Sequence, residues 1–387
     1  MNSRQRVLAA LNHQEPDRVP FDLGATLVSS INHETYRGVR RLLGLDADRP
    51  VQWLDVVQQI AVVEDDVRRR LGIDTRGVLV RPSSAWDPTV KEDETSNFLT
   101  DPWGAIWRKP KATGLYYDMT YHPLQGVDDP AALDSFPWPD GRDPARWGSG
   151  LVEEAKALHD AGEYAVIMGN MGVTSGLFQT STYMLGFYDT YCNLAGAPAF
   201  MDKLLRKLAE LDLAFWESFL PVVGPYLDVV MYADDFAGQD GLLISLDMYR
   251  RLFKPRYREI FDMVRRHAPH VKIFFHSCGA IRDLIPELIE VGVDIVNPVQ
   301  VSAAHMETRA LKRDFGRDIV FWGGGVDTQR VLPRGTPAEV KAEVKRRIED
   351  LAPGGGFIFN TVHNIQGDVP PENVIAMVEA LHEYGKY

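Results

Sequence analysis

Short apolar runs that end in polar residues alternate along this chain with longer stretches of helical periodicity. In the second half the runs are 164–170, 228–235, 272–279, 294–300, 319–327 and 357–364. They are almost continuously apolar, as strands buried on both faces are. Helical periodicity fills the stretches 199–219, 246–267, 280–291, 336–351 and 371–384. Such alternation predicts parallel βαβ units. Two earlier runs, 19–23 and 76–80, bring the strands to eight, which suits a closed α/β barrel of the (β/α)8 TIM type better than an open sheet. An amphipathic helix over 3–13 forms an N-terminal extension, and the turn 15–20 leads into the first strand. Proline and tryptophan are scattered through 81–147, which reads as an excursion inserted into a single barrel domain spanning 1–387. Short antiparallel strands are expected there around 105–110 and 114–121, covering one barrel end.

Composition narrows the function. At 45% hydrophobic and 25% charged residues, the chain is not disordered, collagenous or a coiled coil. Lys and Arg total 42 against 54 Asp and Glu, a net charge of −12 that is unsuited to a polyphosphate backbone, so nucleic acid is not an expected partner. The two cysteines, Cys192 and Cys278, form no disulfide framework, which points to a reducing compartment. The apolar run 7–11 is too short for a signal segment or a membrane span, so the expectation is a soluble cytoplasmic protein without membrane contact.

Barrel chemistry sits at the C-terminal strand ends. Polar residues there are Asp22, Asn170, Asp234 with Asp235, His276 with Cys278, Asn297 with Gln300, Asp327, and Asn360 with His363. Any one of the Asp or Asn side chains reads equally well as a helix cap. His276-Ser277-Cys278 is the sharpest signal: side chains two apart on a strand share a side, so an imidazole and a thiolate can approach one metal, for which zinc is the natural guest. Two ligands do not make a site, and a buried thiol beside a hydrogen-bonded histidine is the competing interpretation. His363, closing the last strand, is a better third ligand than Cys192, which falls in a helical context and reads as packing. Asp234 and Asp235 need not face the same way. One is a candidate general base, fourth ligand or acceptor for His276, or else both cap and pair with Arg250 or Arg251. Gly323-Gly324-Gly325 and Gly354-Gly355-Gly356 lack a Walker lysine or a full dinucleotide fingerprint and read as tight turns.

Larger blocks carry a resemblance. Arg4-Gln5-Arg6-Val7-Leu8-Ala9-Ala10-Leu11 followed by Pro16-Asp17-Arg18-Val19-Pro20, Asp234-Asp235-Phe236-Ala237-Gly238-Gln239 with Tyr249-Arg250 and Lys254-Pro255, and Pro370-Pro371-Glu372-Asn373 together resemble the uroporphyrinogen decarboxylase superfamily over essentially the whole chain. That superfamily comprises porphyrinogen decarboxylases and cobalamin-dependent methyltransferases. The decarboxylases carry an Arg-Gln-Ala-Gly-Arg-Tyr run after the first strand, whose arginines hold tetrapyrrole carboxylates. Here 21–30 reads Phe-Asp-Leu-Gly-Ala-Thr-Leu-Val-Ser-Ser, with no arginine until Arg37. The methyltransferases carry His-x-Cys and a later Cys as zinc ligands; His276 and Cys278 match the first two, and His363 stands where the later Cys would be.

The resemblance therefore implies a zinc-assisted methyltransferase moving a methyl group between a small methylated compound or thiol and a corrinoid protein. Asp234 and Asp235 are its candidate catalytic residues, and Asp22, Asn170, Gln239, Asn297 and Asn360 its candidate substrate contacts. No Asp-x-His-x-x-Gly motif is present, so the corrinoid (cobalamin) is expected on a partner. A second copy of the chain is a further candidate partner. Trp103, Trp107, Tyr116 and Tyr117 read either as packing or as a cage for a quaternary ammonium. The rival expectations are a decarboxylase of a small or tetrapyrrole acid and a non-catalytic module that binds a corrinoid protein.

Overall fold

The computed structural model describes residues 1–114, 116–148 and 150–387. Seven parallel strands curl into one sheet in the order Phe357–Ile358, Val320–Trp322, Ile295–Asn297, Lys272–His276, Val229–Ala233, Ala165–Met168 and Thr75–Val78. Residues 20–22 close the gap between its edges. Phe359 N donates to Pro20 O at 2.8 Å, Asp22 N to Phe359 O at 2.9 Å, and Asp74 N to Phe21 O at 2.8 Å. The eighth stave expected at 19–23 is thus a single parallel bridge, Phe21 to Phe359, and the fold is a (β/α)8 barrel.

Alternation along the strands sorts the core. Ala165, Ile167, Val229, Met231, Ala233, Phe274, Ile295, Val320, Trp322 and Ile358 pack together inside the barrel, with Val7, Ala10 and Leu11 of the helix Ser3–Leu11 plugging its base. Their neighbours of opposite parity, such as Val166, Val230, Tyr232, Phe275 and Phe321, pack outward with the long helix Pro198–Val223. The capping box of Asn2 and Gln5 starts the plug helix, and the chain turns at His13 with φ 54°.

Several expected boundaries shift for identifiable reasons. The stretch 246–267 holds a π turn at Tyr249–Phe253, before the helix Lys254–His267, where Tyr249, Phe253 and Tyr257 are all turned onto Phe236. The helix expected over 280–291 is only Ile285–Glu290, with Pro286 in its first turn. Helices Leu151–Ala161 and Leu177–Leu185 join the outer layer beyond those expected, and the helical context expected around Cys192 is the helix Phe187–Gly196. Cys192 lies in the last of these but is exposed, so the packing role expected for it does not hold.

The excursion is an antiparallel sheet of Lys91–Glu92, Ser96–Thr100, Ile106–Pro110 and Asp118–Tyr121. The strand expected over 114–121 is present only from Asp118, and Leu115 within that range lies outside the described residues. A second antiparallel set, Ile31–Asn32, Ile60–Ala61 and Trp53–Asp55, adds to the elements around the barrel. Among the described residues no helix is long and apolar enough to cross a membrane.

Asp74, fully buried, ties this closure together. It accepts from Arg6 Nη1 at 2.7 Å, from Arg18 Nη1 at 2.7 Å and from Phe21 N at 2.8 Å. Removing it leaves the largely buried Arg18 guanidinium without a carboxylate and Arg6 with the half-exposed Asp17 alone, so Asp74→Ala should lower the unfolding free energy by about 3–5 kcal/mol. Asp17 also pairs with Arg6, at 2.7 Å, but is half exposed, so Asp17→Ala should cost about 1 kcal/mol or less. Urea denaturation of the two variants checks this, and equal losses would contradict the assignment.

Candidate metal centre

Strand parity aims the site. On Lys272–His276, Phe274 points into the barrel and therefore so does His276; on Ile295–Asn297, Ile295 points inward and so does Asn297. The two strands pair with His276 opposite Asn297. Asn297 Nδ2 donates to the Trp322 carbonyl at 2.7 Å, which turns its Oδ1 toward His276 Nδ1 at 2.6 Å. An amide oxygen only accepts, so Nδ1 carries the ring proton and the Nε2 lone pair is left to face the barrel mouth. A metal-binding histidine needs this arrangement, with its second nitrogen anchored by an acceptor.

Cys278 Sγ lies 3.5 Å from His276 Nε2, and the His363 ring stands edge-on to His276 with centroids 5.3 Å apart. Ligand atoms of His276, Cys278 and His363 all fall within 4.8 Å of one another. Two donors on tetrahedral zinc sit ~3.5 Å apart, so the Cys278–His276 pair already has the required separation. Burial and the neighbouring His276 hold His363 neutral, with its pKa lowered to about 3; a neutral imidazole is the form that binds metal. Burial, then Asp235, pushes the Cys278 thiol up. The donor set and its spacing fit zinc.

The strand expected over 272–279 ends at His276, and Gly279, at φ 93°, makes the left-handed turn that follows Cys278, where any Cβ would meet the Ala237 and Gly238 carbonyls at 2.5 Å. Gln300 Oε1 accepts from Gly279 N at 2.7 Å, so this strand-end residue secures the loop after Cys278.

The two adjacent acids separate by the same parity. Asp235, in register with Ala233, turns toward the barrel mouth, accepts from Cys278 N at 2.8 Å and stands 3.8 Å from His276 Nε2. Asp234 points outward and is fully buried. It accepts from Phe178 N at 2.8 Å and Gln179 N at 2.7 Å, capping the helix Leu177–Leu185, and from the Tyr257 hydroxyl. Burial raises its pKa to about 7. The helix comes this close because Gly176, at φ 97°, has no Cβ to strike the Ala233 carbonyl and Asp234. Neither acid pairs with Arg250, which is held by Glu287 at 2.6 Å.

The mouth opens into a cavity of about 520 Å³ bordered by His276, His363, Asp235 and the excursion. Of the residues expected to touch substrate, Asp22, Asn170, Asn297 and Asn360 are committed elsewhere. Asp22 accepts from Thr75 Oγ1 at 2.6 Å and Trp322 Nε1 at 3.0 Å within the barrel. Asn170 clasps the Val80 backbone, Asn360 Nδ2 donates to the Asp22 carbonyl, and Asn297 orients His276. Gln239 is exposed and lies outside the cavity lining. Asp327 caps its own turn through Gln329 N. The cavity instead uses Asp55, Asp101, Gln58, Tyr183 and Gln366, none of which closes a barrel strand.

The chain's relatives agree with this architecture. The profile of the uroporphyrinogen decarboxylase (URO-D) family matches residues 152–384. Uroporphyrinogen decarboxylase of Alkalilimnicola ehrlichii is 26% identical over 302 residues, 74% of each chain. That of Methylococcus capsulatus is 26% identical over 227 residues, 55% of this chain and 59% of the other. A methyltransferase from Methanosarcina mazei shares the fold over 99% of both chains, with a TM-score of 0.64 at 15% identity. The profile match covers more than half of the sequence and includes His276, Cys278 and His363, so the chain belongs to the uroporphyrinogen decarboxylase family.

Proposed function

We propose that the chain is a corrinoid-dependent methyltransferase, moving a methyl group between a small methylated compound or thiol and the corrinoid of a partner protein, with zinc held by His276, Cys278 and His363. The observation that carries this reading is the convergence of those three donor groups at one barrel mouth, within 4.8 Å of one another and beside a substrate-sized cavity. The shared fold of the Methanosarcina mazei methyltransferase supports it.

When bound, zinc acts as a Lewis acid, lowering the pKa of a coordinated thiol or polarising the heteroatom that bears the methyl group. The chain supplies the rest. Asn297 holds the His276 lone pair toward the mouth. Asp235 offers a carboxylate to accept a substrate proton or complete the shell, while its contact to Cys278 N keeps it in place. Imidazole from His363 in place of a thiolate leaves the centre one charge more positive, which favours demethylation of a small methylated compound over methylation of a thiol. No Lys or Arg borders the cavity among the described residues, and Leu27 and Val28 stand in the segment where porphyrinogen decarboxylases carry arginines. That wall suits neither a tetrapyrrole nor another polycarboxylate, which weighs against the decarboxylase reading.

Zinc titration against a chromophoric chelator tests the centre without any turnover. His276→Ala, Cys278→Ala and His363→Ala should each weaken zinc binding with circular dichroism unchanged, and His363→Cys should retain it. Unchanged affinity in His363→Ala would remove that residue from the shell and with it the reason to favour demethylation. Asn297→Ala, which touches no metal, should lower zinc affinity about 10–100-fold by freeing the His276 ring; wild-type affinity would show that the anchor is dispensable. In visible-absorption assays with free corrinoid and methylated amines, ethers or thiols, Cys278→Ala should lose methyl transfer. A zinc-free wild-type protein without methyl transfer would revive the decarboxylase and the non-catalytic binding module.

A further inference from the structure

The cavity in front of the triad has an unusual lining. Trp86, Trp103, Trp107, Tyr116, Tyr117 and Tyr183 supply aromatic walls, contributed mostly by the excursion. Three carboxylates, Asp55, Asp101 and Asp235, share the lining with them, and among the described residues none of the three pairs with Lys or Arg. Asp55 accepts from Gln58 N at 2.9 Å; Asp101 accepts from Trp103 N and Ala105 N at 2.9 Å and from Trp107 Nε1 at 3.1 Å. Burial raises the pKa of both, as expected of carboxylates withdrawn from water without a counter-charge. Lys109, two residues from Trp107, turns its ammonium to Gln59 Oε1 at 2.6 Å and lies 5.7 Å from the Tyr117 ring centroid, outside the cavity lining.

Aromatic faces and uncompensated carboxylates favour the same guest, a cation too bulky and too poorly hydrated to demand hydrogen bonds. Assigning Asp235 to the metal leaves Asp55 and Asp101 still without a counter-charge. Asp101 also fixes the Trp107 indole, and Trp107 packs edge-to-face on Tyr183 at 5.3 Å, so wall and charge are built as one unit. Since His276 and His363 border the same cavity, a guest held by these walls has its substituents beside the candidate metal centre.

We infer that this cavity binds a methylated onium cation, a quaternary ammonium or sulfonium, with the aromatic walls around its methyl groups and Asp55 and Asp101 as counter-charges. The inference rests on the methyltransferase reading for its role as substrate recognition, but the binding itself does not.

Calorimetric titration of the full chain, with and without zinc, uses two probes: choline and its neutral isostere, in which carbon replaces the nitrogen. Choline should bind at least ~10-fold more tightly than the isostere, a preference of the size cation–π contacts supply when desolvated. Asp55→Asn and Trp107→Leu should each reduce that preference several-fold. Asp55→Asn is the isosteric change that keeps the test decisive if Trp107→Leu does not fold. Equal binding of the two probes, no binding of either, or a preference untouched by Asp55→Asn would overturn the inference. Choline binding without any methyl transfer would leave it standing while removing the proposed reaction. Transfer from neutral methyl ethers without onium binding would do the reverse.

Discussion

The Asn297 amide, held by the Trp322 carbonyl and held against His276, is the contact on which the rest of the site depends. A histidine at a barrel mouth has two nitrogens and free rotation unless something removes the choice. Here the backbone of one strand orients an amide on the next, and that amide sets the proton on the imidazole of a third. The Trp322 indole reaches across the barrel to Asp22 at 3.0 Å, so the same residue links the closing segment to the candidate metal centre. Closure of the barrel and orientation of the ligand are therefore one structural problem, solved by residues that lie outside the cavity lining.

Much of this was legible in the sequence because strand parity is strict. The strand expected over 272–279 stops at His276, so parity alone does not set Cys278; Asp235 accepting from Cys278 N and Gln300 accepting from Gly279 N hold the following turn, and Cys278 Sγ comes to 3.5 Å from His276 Nε2. The split between Asp234 and Asp235 is a matter of parity: successive side chains leave a strand on opposite faces. Which acid faced the mouth required the register, because Ala233 and Met231 had to be placed inside the barrel first. The resemblance blocks acquire physical meaning in the same way. Arg6 and Arg18 from the opening motifs meet on Asp74, holding the plug helix to the barrel's closing edge.

What stayed illegible depended on long-range pairing. In the sequence Asp22, Asn170 and Asn360 fall at expected strand ends just as the candidate ligands do, yet their partners come from residues 53, 90 and 338 positions away, and those bonds withdraw them from the cavity. Asp55 and Asp101 carry no local signal, since one ends a three-residue strand and the other sits before a Pro-Trp turn. Their approach to His276 and His363 is created by the fold of two antiparallel insertions over the barrel end. For Trp103, Trp107, Tyr116 and Tyr117 the sequence left both packing and a cage open; that they border one cavity together with Trp86 and Tyr183 depends on the fold.

Zinc K-edge X-ray absorption of the zinc-loaded protein tests the central claim most directly, because it reads donor identity without reference to any substrate. The expected spectrum has one sulfur at about 2.3 Å and nitrogen or oxygen donors at about 2.0–2.1 Å, with imidazole scattering from two rings. The sulfur should vanish in Cys278→Ala. A shell of oxygen alone, or a sulfur retained in that variant, would contradict a centre built from His276, Cys278 and His363.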